Sequence, residues 1–120
     1  MKEIIVDGIT YVPKLDKDSN ELEKDYVIIR SNHAGVFAGH IESIREGTQY
    51  SSVDIKECRR LWYWNGAASI SQLSIHGTSK PKECKFPQPV SRQTINGVIE
   101  IIPCTLKARA SIEGVEIWEV

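Results

Sequence analysis

The stretch Tyr26–Ser43, YVIIRSNHAGVFAGHIES, decides the fold class. Tyr26–Arg30 is rich in β-branched and aromatic residues, which predicts a strand. Ser31–Gly35 has the composition of a turn, and Val36–Ser43 continues as a second strand. Gly39, inside that second strand, marks a bulge or a close approach of two backbones. Two strands joined by a short turn predict the start of an antiparallel meander.

The chain on either side of this stretch extends the sheet. Arg45–Thr48 is typical of a turn, and Gln49–Lys56 alternates apolar and polar residues as a half-buried strand does. Three such strands predict a meander that seeds a small barrel or a half-open sheet. Upstream, Ile4–Val6 and Ile9–Val12 flank Asp7-Gly8, the strongest short hairpin signal. The polar segment Lys14–Lys24 is interpreted as a loop or a short solvated helix.

The second half of the chain predicts two short helices and two more strands. Gly77 suits the residue that ends a helix, and Thr105 suits an N-cap. Three prolines mark a surface loop between these elements. The predicted elements are a helix Ala67–His76, a loop Thr78–Pro89, a strand Val98–Ile102, a helix Leu106–Ile112 and a strand Val115–Val120. The predicted fold class is therefore α+β, with an antiparallel β-sheet or meander core and two short helices.

Length and composition narrow the class of protein. At 120 residues the chain fits a single domain spanning residues 1–120. The net charge of −1 argues against nucleic-acid binding by charge alone, so a few placed cations would have to hold any anionic ligand. Cys58, Cys84 and Cys104 lack disulfide or zinc spacing and are interpreted as idle thiols of a reducing cytosol. Neither a signal peptide nor a membrane span is expected.

The segment Arg59–Gly66, RRLWYWNG, has the most unusual composition. Arg59 and Arg60 are phosphate-binding candidates, because guanidinium groups bind phosphate through charge-assisted hydrogen bonds. Trp62 and Trp64 are two residues apart, so on a strand they would share one face. They are interpreted either as core or oligomer interface, or as rings that stack on a ligand.

Other candidate binding residues are scattered along the chain. Phe86, between a lysine and a proline, is either a core plug or a rigid stacking platform. Asn96 precedes Gly97, which indicates turn chemistry, or else offers an amide that reads a base edge or a ribose. Arg30 and Arg109 are further candidates, the first beside small residues whose backbone amides can approach a phosphate. No catalytic residues, metal ligands or cofactor motifs are recognised, so the chain is not expected to be an enzyme.

Four blocks of the chain resemble a family of small phage and prophage proteins, the Thoeris anti-defence (anti-Thoeris) sponges. The blocks are YVIIRSNHAGVFAGHIES (26–43), RRLWYWNGAASISQLSIHG (59–77), KPKECKFP (80–87) and VIEIIPCTLKARASI (98–112). The resemblance implies a non-enzymatic protein of the host cytoplasm that sequesters cyclic ADP-ribose isomers such as gcADPR. It further implies a homodimer or homohexamer, and in some members a separate site for cyclic trinucleotides.

The resemblance also carries over specific residues. The adenine-stacking Phe and the polar Asn of the family would fall on Phe86 and Asn96. Its phosphate-binding arginines would be among Arg59, Arg60 and Arg109. The neighbours of Arg109 depart from the family's pattern, which leaves the second site open.

Two other interpretations stay open. One is a small-barrel module that binds single-stranded nucleic acid or a host protein, favoured by the meander and the aromatic–arginine segment. The other is a structural oligomer in which the rings of residues 62–64 form the subunit contact, an arrangement that is compatible with ligand sequestration.

Overall fold

The computed structural model describes residues 4–6, 9–11 and 19–120. Within these residues six strands and two helices form the predicted α+β fold with an antiparallel core. The strands are β1 Ile4–Val6, β2 Ile9–Tyr11, β3 Leu22–Ser31, β4 Gly35–Glu46, β5 Ser51–Arg60 and β6 Val90–Thr105. The helices are α1 Ile70–His76 and α2 Leu106–Gly114, with a turn of 3₁₀ helix at Pro81–Glu83.

Strands β3 to β6 form a closed barrel in the order β3–β4–β5–β6. All four pairings are antiparallel, and β6 returns to pair with β3 as well as with β5. The meander of three strands is thus confirmed, and the fourth strand closes it. Strand β5 runs to Arg60, beyond the predicted end at Lys56, so both adjacent arginines lie on a barrel strand.

Strand β3 is buried on both faces, which explains its apolar composition. Tyr26 and Ile28 belong to a cluster between the barrel and the helices, whereas Val27 and Ile29 belong to a second cluster. Successive side chains of a strand point to opposite faces, so one short segment contributes to both clusters. The run Tyr26–Ile29 therefore connects the two parts of the core.

Strand β6 is much longer than the predicted Val98–Ile102. It continues through Asn96 and Gly97, where the sequence indicates a turn. Gly97 has φ of +68°, and the register with β5 shifts here, between the Ser51 and Val53 pairs. The turn prediction was wrong, because the positive φ forms an irregularity inside a continuous strand.

A second irregularity lies between β4 and β5. A Cβ atom at Gly39 would lie 2.5 Å from a methyl carbon of Ile55, which confirms the predicted close approach. The register shifts here, and Glu57 adopts φ of +49°. This left-handed conformation is costly for a residue with a Cβ atom.

Local sequence signals set the helix ends. The Ser69 side chain caps α1 by accepting a hydrogen bond from the Gln72 backbone N–H, so the helix begins at Ile70 rather than at Ala67. Gly77 ends it with φ of +72°. Thr105 caps α2 by accepting from the Ala108 backbone N–H, as predicted.

The N-terminal part of the chain agrees with the sequence prediction in one segment and departs from it in the next. β1 and β2 pair with Val6 opposite Ile9, which confirms the two predicted strands, while the predicted Asp7-Gly8 turn lies outside the described residues. The prediction of a polar loop or helix over Lys14–Lys24 was wrong for Leu22–Lys24, which belong to β3, and its residues 14–18 lie outside the described part.

The predicted strand Val115–Val120 was also wrong. This segment makes one isolated bridge, between Ile117 and Phe86. Closure of the barrel through β3 and β6 leaves no free edge among β3–β6 for another strand.

Candidate functional site

The Arg59 side chain is buried, with 4% of its surface exposed. Its guanidinium donates hydrogen bonds to the carbonyl oxygens of Phe86, Pro87 and Ile112, at 3.1, 3.0 and 2.8 Å. Burial lowers the pKa of this group because desolvation disfavours its charge. Arg59 therefore ties β5 to the loop before β6 and to the end of α2, and these contacts commit it to the fold rather than to a phosphate.

Phe86 is fully buried in the cluster that contains Leu73 and Ile112. The Arg59 guanidinium lies 5.6 Å from the centre of its ring. Within a single chain neither face of the ring is open to a ligand, so the structure corresponds to the core-plug alternative. Asn96 lies farther along β6, and the six residues from Val90 alone span about 20 Å. One chain does not bring Phe86 and Asn96 into one site.

Arg30 and Arg109 both have acidic partners. Arg30 contacts Glu100 at 2.6 Å through Nε, on the exposed outer face of the barrel. Arg109 contacts Glu23 at 2.8 Å and Glu113 at 2.9 Å, and its guanidinium lies 5.5 Å from the centre of the Tyr26 ring. An anionic ligand would have to displace a carboxylate at either residue.

Arg60 is placed differently from the other three arginines. Its Nη1 donates a hydrogen bond of 2.7 Å to the Ala34 carbonyl, and its guanidinium lies 4.4 Å from the centre of the Phe37 ring. These contacts hold the guanidinium against the turn between β3 and β4. The same turn forms one wall of a cleft.

This cleft, which we call the Asn96 cleft, has a volume of about 460 Å³. It lies between the β3–β4 turn and the irregular part of β6. Amide, hydroxyl, imidazole and phenol groups face it. Its lining residues are Ser31, Asn32, His33, Ala34, Tyr50, Gln93, Thr94, Ile95, Asn96 and Gly97. Ligand pockets for small molecules commonly have volumes of about 300–1,000 Å³.

Hydrogen bonds hold the walls of the Asn96 cleft in place. The Ser31 hydroxyl donates to the Asn96 carbonyl at 2.7 Å, and the Asn32 N–H donates to the Gly97 carbonyl at 2.9 Å. A Cβ atom at Gly97 would lie 2.2 Å from Oδ1 of Asn32. The positive φ favours glycine here, and a residue with a Cβ atom would have to displace the Asn32 side chain.

A buried carboxylate, Asp54, is bonded to one of the lining residues, Thr94. Asp54 accepts hydrogen bonds from the hydroxyls of Thr94 and Ser43, both at 2.6 Å, and from the Arg45 guanidinium. These donors hold the pKa of Asp54 well below its usual range, with Arg45 contributing most. The network joins β4, β5 and β6, and it holds the lining residue Thr94 in place.

A second feature, which we call the aromatic platform, consists of Trp62, Tyr63, Lys85, Ile117 and Trp118. Backbone hydrogen bonds join its segments: Tyr63 with Lys85 in both directions, and the Trp118 N–H with the Phe86 carbonyl. The Lys85 ammonium lies 5.7 Å from the ring centres of both Tyr63 and Trp118.

The rings of the platform are open to solvent. Trp62 is 65% exposed, Tyr63 49% and Trp118 37%. Trp62 and Trp64 do not share a face, because Trp64 packs against the core and Trp62 does not. Of the interpretations left open for these rings, core packing fits Trp64 but not Trp62, for which an oligomer interface or ligand stacking remains.

The sequence candidates thus separate in space. Asn96 lines the cleft and Arg60 braces its wall, whereas Phe86 and Arg59 are buried, and Arg30 and Arg109 are paired elsewhere. Sequence reasoning missed Tyr50, Gln93 and Thr94 as lining residues. Gln93 and Thr94 belong to β6, which begins at Val90 rather than at the predicted Val98. The proline-rich loop directly before Val90 gives no sequence signal for this earlier start.

Two further features bear on the sequence predictions, the burial of the cysteines and the length of the helices. All three cysteines are buried and free, and burial raises the pKa values of Cys58 and Cys104 to about 12. Among the described residues, no helix has the length and apolar character needed to cross a membrane.

Comparison with known proteins places the chain in a family. A family model described as a domain of unknown function, DUF6948, matches residues 24–112. The chain belongs to the DUF6948 family. The matched region begins in β3 and ends in α2, so it includes β4, β5, β6, α1, most of β3 and α2, and the Asn96 cleft. No curated protein and no solved structure matches the chain.

Proposed function

We propose that this protein binds a cyclic nucleotide immune signal of the cyclic ADP-ribose class and holds it without degrading it. By the resemblance to anti-Thoeris sponges, it would act in the host cytoplasm as a phage or prophage protein that keeps the signal from the Thoeris effector. The observation that carries the proposal is the Asn96 cleft, whose volume suits a nucleotide and whose wall is braced by Arg60.

The cleft supports this class of ligand through its chemistry. The lining carboxamides of Asn32, Gln93 and Asn96 suit base edges and ribose, and Tyr50 and His33 add aromatic rings, which stack on bases elsewhere in proteins. Because hydrogen bonds already hold the Ser31 and Gly97 positions, little ordering is needed on binding.

The test is titration of the purified protein with gcADPR by calorimetry, followed by heat release of the ligand and mass spectrometry. We expect saturable, stoichiometric binding and recovery of unchanged gcADPR. The Asn96→Ala variant should bind about 2–10-fold more weakly, since one neutral hydrogen bond is worth about 0.5–1.5 kcal/mol. Gln88→Ala, an exposed amide outside the cleft, is the matched control. Absence of binding, or turnover of the ligand, would refute the proposal.

The proposal includes self-association as a dimer or hexamer. The exposed rings of the aromatic platform support it, because large exposed aromatic surfaces are uncommon on monomers. Whether a second site for cyclic trinucleotides accompanies the first is a separate question, which titration of the same protein with a cyclic trinucleotide answers.

A second candidate function is binding of single-stranded nucleic acid at the aromatic platform. It is favoured by the exposed rings around Lys85 on a small closed barrel. A shift assay with an oligonucleotide over a salt series separates the two functions. A steep fall in affinity with salt supports nucleic-acid binding, whereas affinity for gcADPR alone supports the first proposal.

A further inference from the structure

The Asn96 side chain is held by a hydrogen bond from a neighbouring strand. The Ser52 hydroxyl on β5 donates to Oδ1 of Asn96 on β6 at 2.8 Å. The Asn96 backbone is also held, because the Ser31 hydroxyl donates to its carbonyl and the positive φ of Gly97 follows directly. The carboxamide is therefore fixed in orientation as well as in position.

This orientation determines what Asn96 offers to a ligand. A carboxamide has one oxygen that accepts and one NH₂ group that donates. The hydrogen bond takes up one of the two lone pairs of the oxygen and turns the oxygen toward Ser52, which does not line the cleft. The Nδ2 group has no acceptor among the described residues, so it is the part of Asn96 left for the cleft. At this point the cleft offers a hydrogen-bond donor, which calls for an acceptor on the ligand.

The lining indicates which part of the ligand carries that acceptor. None of the described lining residues is Asp, Glu, Lys or Arg. A phosphate inside such a cleft would lose its hydration without gaining a full countercharge. An uncharged base and ribose carry ring nitrogens and hydroxyls that accept hydrogen bonds, and they lose little on entering.

We infer that Ser52 is a positioning residue that makes Asn96 a hydrogen-bond donor, and that the cleft recognises an acceptor on the uncharged nucleoside part of the ligand. This inference rests on the proposed function. It adds three points: which part of the ligand enters the cleft, that Asn96 donates the hydrogen bond, and that Ser52 is the residue that makes Asn96 the donor.

The test compares gcADPR affinities of four variants by calorimetry. Asn96→Asp keeps an oxygen for Ser52 but replaces the donor by an acceptor, so binding should weaken about 10–100-fold. Ser52→Ala releases the amide and should weaken binding about 3–10-fold, while Ser52→Thr, which restores a hydroxyl, should recover it. Ser91→Ala, an exposed serine on β6 outside the cleft, should bind as the unmodified protein does.

A second measurement identifies the acceptor on the ligand. The competitors of gcADPR are adenosine, its 1-deaza, 3-deaza and 7-deaza analogues, each lacking one ring nitrogen, and its 2′-deoxy and 3′-deoxy analogues, each lacking one ribose hydroxyl. They are tested on the unmodified protein and on Ser52→Ala. We expect one analogue to compete at least about tenfold more weakly than adenosine, and Ser52→Ala to reduce that discrimination. A purely structural role of Ser52 would lower affinity for all analogues alike.

The outcomes separate the inference from the proposed function. If the unmodified protein binds gcADPR while Ser52→Ala or Asn96→Asp binds equally well, the inference fails and the proposed function stands. Failure of adenosine to compete, or equal competition by all analogues, also overturns the inference alone. If the unmodified protein does not bind gcADPR, both fail.

Discussion

Replacing Arg59 by methionine is expected to destabilise the fold strongly. Methionine approximates the apolar stem of arginine but supplies no donors. The Phe86 and Ile112 carbonyls keep the backbone N–H groups of Trp118 and Val115 as donors. The Pro87 carbonyl has Arg59 as its donor among the described residues. The variant thus removes three charge-assisted hydrogen bonds but leaves one carbonyl without a partner.

The magnitude follows from these contacts. The Pro87 carbonyl is partly buried, and loss of its donor costs about 1–2 kcal/mol. Loss of the cation over the Phe86 ring costs about 0.5–2 kcal/mol. The variant also loses the hydrogen bonds to the Phe86 and Ile112 carbonyls. Because it no longer pays the desolvation free energy of a buried charge, this loss is partly offset. We expect a loss of about 2–4 kcal/mol, which in a domain of this size lowers the Tm by about 8–16 °C.

Urea unfolding followed by tryptophan fluorescence measures this loss, with thermal unfolding as a second readout. Arg59→Lys keeps the charge but cannot reach all three carbonyls, so its loss should be smaller but still measurable. The control is Arg92→Met, whose exposed ion pair with Glu42 should contribute less than about 1 kcal/mol. An Arg59→Met protein with unchanged stability but weakened gcADPR binding would refute this account and return Arg59 to the ligand site.

Three further predictions follow from local features. Asp54→Asn should lower the urea midpoint at pH 7 but have less effect near pH 3. The pKa of the carboxylate is depressed in the folded state, so its contribution to stability is present above the unfolded-state pKa of about 4 and is lost as the pH falls below that value. An equal difference in midpoint between the variant and the unmodified protein at both pH values would contradict the network's role. Glu57→Gly should stabilise the protein by about 0.5–1 kcal/mol in the same assay, because glycine tolerates φ of +49°, whereas Glu57→Ala should not. Trp62→Ala should shift the mass measured by light scattering toward the monomer if the aromatic platform is the subunit contact, and an unchanged mass would exclude Trp62 from that contact.

The parts of the fold that could be predicted depend on neighbouring residues in the chain. Ser31–Gly35 forms a tight connection because its composition favours one, and Thr105 caps α2 through a residue three positions on. The apolar run of β3 predicted a strand for the same reason. Each of these signals lies within a few residues of the structure it determines.

The parts that could not be predicted depend on residues distant in the sequence. Nothing near Arg59 shows that its guanidinium meets carbonyls of Pro87 and Ile112, 28 and 53 positions away. The irregularity at Gly97 resembles a turn until β3 and β5 are seen to pair on both sides of it. The cleft lies beside that irregularity, so lining residues such as Gln93 and Thr94 could not be found from the sequence.

The arginine contacts also decide where a phosphate would lie under the proposed function. At Arg30 and Arg109 a phosphate would replace a carboxylate, exchanging one ion pair for another with little net gain. At Arg59 it would have to enter the core and displace three carbonyls. Arg60 gives up one N–H to the Ala34 carbonyl, and among the described residues no other acceptor is bonded to its guanidinium. A phosphate therefore adds a partner at Arg60 without breaking one, beside a cleft whose lining suits the uncharged nucleoside.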